Sequence, residues 1–436
     1  MTAEVAILNR NAVALAADSA VTLRNSGGQK IYNTANKVFT LSKYNPVGVM
    51  VFGDANLMGV PWETIIKMYR SELGASHFDY LEDYAKNFLN FFHRENLLFP
   101  AGLQEQFIKD YLGFQLTQLR KSVRDEIAQL IVAKGEIDEV SVPGIVREII
   151  QKYVEELEKH ESLVSFPDEA VAEVVATYRN LIRELLAEVF EKLPIDIEQM
   201  ERFCGIVIGK RIFVDNSSGV VIAGFGEKDV FPALYAYQCQ AIVANRMRYV
   251  QTNATRIGLT SSSESDASII PFAQREMVNR FMEGIDPDFE SETRKYLSTL
   301  LVDGYPDLIL DSLKGKLSDE ETNSLRAKLA ELGQNLSREF SDQSVAFRRR
   351  KFVEPIVETL AALPKDELAA MAESLVNLTS FKRRVTSAEE DTVGGPIDVA
   401  VISKGDGFIW IKRKHYFDPA LNAHFLANYF GKGGLR

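Results

Sequence analysis

The sequence predicts an α+β protein built on antiparallel sheets, and three observations carry that reading. Short apolar runs open the chain in pairs, at 3–8 (AEVAIL) with 12–18 (AVALAAD) and at 37–41 (KVFTL) with 47–53 (VGVMVFG). Apolar residues then recur at three- and four-residue steps in two long blocks, about 61–200 and 271–384. Strand character returns after each block. Strands and helices in separate runs give segregated layers, not the alternating order of a doubly wound parallel sheet.

Taken in order, the first two runs are separated by Asn9-Arg10-Asn11, a polar turn that makes them a hairpin. A polar loop leads to the second pair, punctuated by Asn45-Pro46. In the first helical block the stripes run through Phe107, Tyr111, Leu119, Val123, Ile127 and Leu130, then Val146, Ile149, Ile150, Tyr153 and Leu157. A third joins Val171, Val174, Val175, Tyr178, Ile182, Leu185 and Val189. These are amphipathic helices, with breaks at Pro100, Pro143 and Pro167. Strands are expected again at 203–209 (FCGIVIG), 211–214 and 219–225, continuing through 231–250.

A Ser-rich loop at 260–268 leads to helices expected at 271–284, 319–340, 343–362 and 365–384. Pro364 suits the first turn of the last of these. Strands at 396–403 and 407–413 flank Lys404-Gly405-Asp406, and an aromatic tail occupies 415–436. The pieces are therefore N-terminal strands (2–60), a helical layer with an insertion (61–200), central strands (201–255), a second helical layer with an insertion (256–390), and a C-terminal hairpin and tail (391–436).

Composition narrows the function. The 436 residues are 46% apolar and 25% charged, which is globular. A net charge of -11 and a pI near 5.2 argue against nucleic acid or an anionic membrane as partner. Two cysteines, Cys204 and Cys239, imply no disulfide framework and fit a reducing compartment. No run reaches the roughly 18 apolar residues of a membrane span, and the N-terminus lacks the basic start of a signal peptide. The expectation is a soluble, cytoplasmic protein. The 5 histidines have no metal-binding spacing, so neither metal nor cofactor is expected. The Gly205–Arg211 run (GIVIGKR) is too short between its glycines for a phosphate loop, so no ATPase is expected in this chain.

The candidate chemistry lies at the start. Met1 is followed by the small residue Thr2, which favours removal of Met1 and would expose Thr2 as the first residue. Threonine with its own α-amine is one of the known self-activating nucleophiles. Asp18 follows the second strand, in Ala16-Ala17-Asp18-Ser19-Ala20-Val21-Thr22. Lys37-Val38 opens the third, and Val51-Phe52-Gly53-Asp54-Ala55 ends the fourth. Far downstream, Asp391-Thr392-Val393-Gly394-Gly395 precedes the final hairpin.

Together these residues resemble the β-type subunits of the proteasome and the related bacterial peptidase that works with a separate unfoldase ring, both N-terminal nucleophile (Ntn) hydrolases. The matching pieces cover about half of the chain. The resemblance implies a four-layer αββα sandwich of antiparallel sheets carrying two large helical insertions. It implies Thr2, Asp18 and Lys37 as catalytic residues, backbone N–H groups near Phe52 and Gly53 for the oxyanion, Thr22 on the substrate cleft, and Asp391 and Thr392 as auxiliary groups. It implies a threonine peptidase or amidohydrolase acting on a peptide or protein, a homo-oligomer of ring-like form, and a separate ATP-dependent unfoldase as partner. The chain departs from the family pattern in the longer loop between Asp18 and Lys37, in the shift of Asp391 and Thr392 by about one position before Gly394, and in two further places. Phe52 stands where the family has glycine, and the family's serine after the central strands has no counterpart, with Gly224-Phe225-Gly226 in its place. A small-amide hydrolase or transpeptidase on the same fold, and a catalytically inactive assembly scaffold, therefore stay open as alternatives.

Overall fold

The computed structural model describes residues 3–25, 28–93, 97–135, 138–191, 193–213, 217–259, 265–385, 394–415, 417–424 and 427. In chain order they form strands β1 (Ala3–Asn9), β2 (Val13–Ala17), β3 (Val21–Asn25), β4 (Gly28–Tyr32), β5 (Val38–Thr40), β6 (Val47–Gly53), β7 (Asn56–Leu57) and β8 (Val60–Pro61). Helices α1 (Trp62–Leu73), α2 (Leu81–Asn90), α3 (Ala101–Lys134), α4 (Val142–Glu158), α5 (Asp168–Thr177), α6 (Arg179–Val189) and α7 (Ile197–Gly209) follow. Next come β9 (Ser218–Gly224), β10 (Ala233–Val243), β11 (Arg246–Arg256) and β12 (Ala267–Ala273). The second helical block holds α8 (Glu276–Glu283), α9 (Pro287–Thr299), α10 (Tyr305–Ser312), α11 (Asp319–Arg348), α12 (Glu354–Ala362) and α13 (Lys365–Val385), before β13 (Asp398–Ser403) and β14 (Gly407–Lys412). The fold is α+β with antiparallel sheets. No described helix is long and apolar enough to cross a membrane.

The chain divides into two compact units. The first holds residues 1–34, 257–401 and 410–436. Its five-stranded sheet has the order β12-β1-β2-β13-β14. Alternation puts Ala3, Val5 and Ile7 of β1 on one face with Ala14 and Ala16 of β2. There they pack against Leu368, Ala369, Ala372, Leu375 and Val376, the buried stripe of α13. The alanines let the helix approach closely. Asn9 fixes the β1–β2 turn, because its Oδ1 accepts from the Asn11 and Ala12 N–H groups at 2.9 and 3.3 Å. Its Nδ2 donates to the carbonyls of Leu360 and Leu363, which end α12.

The second unit holds residues 35–256 and 402–409, with a sheet of order β11-β10-β9-β6-β5. Val47, Val49 and Val51 of β6 and Val220 and Ile222 of β9 bury one face against Trp62, Ile65, Ile66 and Tyr69 of α1 and Tyr84 and Phe88 of α2. Helices α3, α4, α6 and α7 form a second core that reaches Ala241, Val243 and Val250.

The structure corrects several boundaries. Residues 203–209 are the end of helix α7, not a strand. A short apolar run of Ile and Val does not separate a buried helix from a strand. The deciding residue is upstream: Asp196 caps the helix by accepting from the Glu198 and Gln199 N–H groups at 3.0 and 3.3 Å. Residues 211–213 form no strand, and 214 is outside the described residues. The polar loop after Asp18 contains a second hairpin, β3–β4. Residues 267–273, where the loop of 260–268 was expected to pass into the helix of 271–284, are instead β12, paired along the whole of β1. The expected helices 319–340 and 343–362 are one continuous rod, α11 to α12, with a π-helical turn at Arg349–Val353. Another π turn, Leu300–Gly304, joins α9 to α10. Each precedes a proline by two residues, Pro306 and Pro355, whose missing N–H and ring displace the ordinary helical bonding.

Candidate active site

In the first unit the site is organised by Asp18. Strand β2 ends at Ala17, and the Asp18 N–H donates to the Ala3 carbonyl at 3.1 Å. The side chain is fully buried. Its Oδ1 accepts from the Ala3 N–H at 3.1 Å, and its Oδ2 from the Gly394 N–H at 2.9 Å. The Ala3 nitrogen is the atom that bonds covalently to Thr2. Asp18 therefore holds the N-terminal end of β1 at Ala3, and it also holds the segment that enters β13. Ser19 adds to this, its N–H donating to Gly394 O at 3.2 Å and its hydroxyl to the Pro396 carbonyl. Gly395 is required as glycine. Its φ is +80°, and a Cβ there would lie 2.8 Å from Asn33 Cβ.

Replacing Asp18 by alanine would strand two buried N–H donors. At about 1–3 kcal/mol for each, an overall loss of about 2–5 kcal/mol is expected, read as a lower denaturant midpoint. Asn in its place keeps one acceptor and should lose less.

In the second unit Lys37 is buried, 4% exposed, just before β5. Its carbonyl accepts from the Val51 N–H at 2.8 Å, which puts Lys37 beside the end of β6. There Phe52 pairs with Gly219 and Gly53 with Ser218. The Phe52 ring occupies the space beside Gly219, where any Cβ would come within 2.0–2.3 Å of it. Gly53 has φ +77°, and a Cβ on it would meet the Ser217 carbonyl at 2.9 Å. Backbone cannot yield as a side-chain tip can. Gly53→Ala is expected to cost at least about 1–2 kcal/mol, checked by a thermal melt. Beside it, Ser217 Oγ accepts from Gln238 Nε2 at 2.6 Å.

The structure thus brings Asp18 to Ala3 and Gly394 in one unit, and in the other it bonds the Lys37 backbone to Val51, next to Phe52 and Gly53 at the end of β6. Thr2, Asp391 and Thr392 lie outside the described residues. Thr22 lies on β3, its backbone paired with Ile31. Sequence reasoning missed Ser19 and the part played by Gly394, although the Gly394-Gly395 pair marked the place. It also missed Ser217 and Gln238, for which no local pattern stands out.

Two features of β12 bear on the N-terminus. The β1–β12 ladder ends at the Ala3–Ala273 pair. Ala273 has φ +57°, a left-handed conformation costing a non-glycine residue about 1–2 kcal/mol. Gln274, next in the chain, is buried.

Rival chemistry is weak. Burial pushes the Cys204 thiol up to about 12 and Cys239 higher still, so both are inert as nucleophiles near neutrality. Among the described residues no three His, Cys, Asp or Glu side chains converge as a metal site. Clefts of about 610 Å³ between α9 and α11 and about 420 Å³ along α5 and α7 contain none of the residues above.

No protein-family model matches the chain, and no curated protein matches it. Among solved structures, a chain of the "Helical Assembly of the Anbu Complex from Pseudomonas aeruginosa" aligns with 99% of this chain and 95% of its own length, at 10% identity and a TM-score of 0.27. At that score the two backbones diverge too far for the likeness to carry an argument.

Proposed function

We propose that the chain is an Ntn-type threonine amidohydrolase in which Thr2, freed by removal of Met1, is the nucleophile. The observation that supports this best is the buried Asp18 carboxylate on the Ala3 N–H. A carboxylate is costly to bury, and here it sits on the backbone nitrogen of the residue that follows Thr2.

The chemistry follows from the residue types. The Thr2 hydroxyl attacks an amide carbonyl carbon. A C–O bond forms, the carbonyl π pair moves onto oxygen, and the hydroxyl proton passes to the Thr2 α-amine. That amine has an ordinary pKa of about 7.7–8.0, so it is partly neutral near pH 7–8. Collapse of the intermediate breaks the C–N bond, and the departing nitrogen takes the proton. Water then hydrolyses the ester by the reverse sequence. Lys37 takes the role of the cation that lowers the amine's affinity for protons and stabilises the developing alkoxide. N–H groups at Phe52-Gly53 are assigned to the oxyanion. Thr22 is assigned to strand-like binding of an extended substrate, and Asp391 and Thr392 to auxiliary proton transfer.

The test uses an epoxyketone or β-lactone probe and the intact mass of the purified protein. Labelling at a chain that starts with Thr2 supports the proposal, and an unlabelled chain counts against it. A small amide as substrate is the second reading, favoured by the Phe52 ring beside Gly219. Turnover of unfolded casein against small acyl amides separates the two. A ring-like homo-oligomer and a separate ATP-dependent unfoldase belong to the peptidase reading, and a monomeric sedimentation mass would remove the ring.

A further inference from the structure

In the first unit α9 and α11 run side by side in opposite directions. Arg348, at the end of α11, pairs with Glu290 near the start of α9 at 2.7 Å. Arg326, early in α11, reaches Asp307 of α10 at 2.8 Å. Between them Gly333 meets the π turn after α9, where a Cβ would lie 2.2 Å from the Leu301 carbonyl oxygen. The half-buried Ala330, Ser337, Ser341 and Ser344 share that side of α11. Small residues therefore make the contact inside the chain, and the large apolar ones point elsewhere. Leu325, Leu329, Leu332, Leu336, Phe340 and Phe347 follow by steps of four, three, four, four and seven, which confines them to an arc of about 80°. Leu332, Leu336, Phe340 and Phe347 are each more than half exposed. On α9, Phe289 and Tyr296 stand two turns apart and are more exposed still. The cleft between the helices is bordered by polar residues such as Arg294, Ser298, Ser337 and Arg338, and by none of these apolar ones. In an antiparallel pair, counting round each helix away from the cleft reaches both stripes on the same flank.

We propose that this apolar flank is a contact between two copies of the chain, with α11 lying antiparallel on α11 of the second copy about a two-fold axis. An amphipathic helix ordinarily buries its leucine stripe within its own chain, whereas α11 turns it outward. The four rings, 52–71% exposed, present about 500 Å² at roughly 200 Å² each. The leucines carry the patch toward the roughly 800 Å² that each side of a stable pair buries. A stripe of three- and four-residue steps fits a copy of itself, knobs into holes, and a two-fold contact uses the same patch on both sides. Charge sets the register. Centring the axis between Leu332 and Leu336 sets each against the other in the second copy. It also brings Lys328 beside the second copy's Glu339, twice by symmetry. Both residues are exposed along one edge of the stripe. A parallel pairing in register would instead set like charges together. The net charge of -11 disfavours an anionic membrane as the occupant. This contact does not depend on the hydrolase reading.

The test is sedimentation equilibrium of wild type, Leu336→Glu, Lys328→Glu, Glu339→Lys and the double variant carrying both charge reversals. Circular dichroism should show unchanged helix content, because all three positions are exposed. Wild type should associate to twice the 48.9 kDa chain or an even multiple of it. Leu336→Glu should weaken association at least about 100-fold, since it puts a charge from each copy into the middle of the patch. Each single reversal should weaken it about 5–20-fold, and the double variant should return to within about threefold of wild type. A wild type that stays monomeric at about 100 μM, or a Leu336→Glu protein that associates as tightly as wild type, would overturn the proposal. A double variant no tighter than either single reversal would overturn the antiparallel register and the proposal with it. A monomer that floats with phosphatidylcholine vesicles would make the flank a lipid-facing surface and overturn it equally.

Discussion

Thr2→Ala is expected to abolish probe labelling and amide hydrolysis while leaving the fold intact. Loss of a nucleophile in an acyl-transfer site removes on the order of 10⁴-fold or more of the rate. The variant is informative because alanine is also small, so Met1 is still removed and the chain still begins with a free amine. The substitution leaves the Ala3 N–H on Asp18 Oδ1. The melting temperature should therefore move by no more than about 1–2 °C, a surface-like effect. Thr2→Ser should keep the chemistry at a reduced rate, because the hydroxyl remains and only the methyl that restricts its rotamer is lost. Equal turnover by wild type and Thr2→Ala would place the chemistry elsewhere.

The second large effect is on stability and concerns Arg248. This residue is 1% exposed, and among the described residues no carboxylate is one of its hydrogen-bond partners. Its guanidinium donates to the carbonyls of Ile208 at 2.9 Å, Val207 at 2.9 Å, Lys210 at 2.7 Å and Ile212 at 3.0 Å, and to Gln240 Oε1. Those carbonyls belong to the C-terminal end of α7 and the turn beyond it, where the helix leaves acceptors unpaired and its dipole favours a cation. The rings of Tyr111 and Phe213 lie 5.0 and 4.9 Å from the guanidinium carbon. Burial pulls the Arg248 pKa down from its ordinary value, but an arginine has ample range before it would lose its charge. Arg248→Met should cost about 3–5 kcal/mol, because it orphans several buried carbonyls at once. A melt should show a fall of roughly 10 °C. Lysine should not rescue it, since one ammonium cannot span five acceptors. A variant within 2 °C of wild type would show that water replaces the guanidinium without penalty.

The parts of the fold legible in the sequence were those with strict periodicity. Strands β1, β2, β5, β6, β13 and β14 alternate or run apolar between clear turn residues, and α13 carries its stripe at Leu368, Ala372, Leu375 and Val376. Helix α7 was read as strand because Ile206, Val207 and Ile208 are β-branched, and the capping Asp196 lies a full helix away from them. Hairpin β3–β4 was hidden because polar Arg24, Asn25, Gln29 and Lys30 interrupt the apolar run that marks the other strands. Strand β12 was hidden because Ser-rich sequence precedes it and Arg275-Glu276 follows it closely.

Less of the site was legible than of the fold. Thr2, Asp18 and Lys37 stood out as residue types in a pattern. The bond from Asp18 to Gly394 joins residues separated by 376 positions, and only the sheet order β1-β2-β13 brings them together.

The most direct test of Thr2 as an exposed nucleophile is the intact mass of the purified protein before and after a β-lactone probe. The account predicts a chain lacking Met1 that gains the mass of one probe, with the adduct on Thr2. A chain that retains Met1, or one that starts at Thr2 and gains nothing, would contradict it.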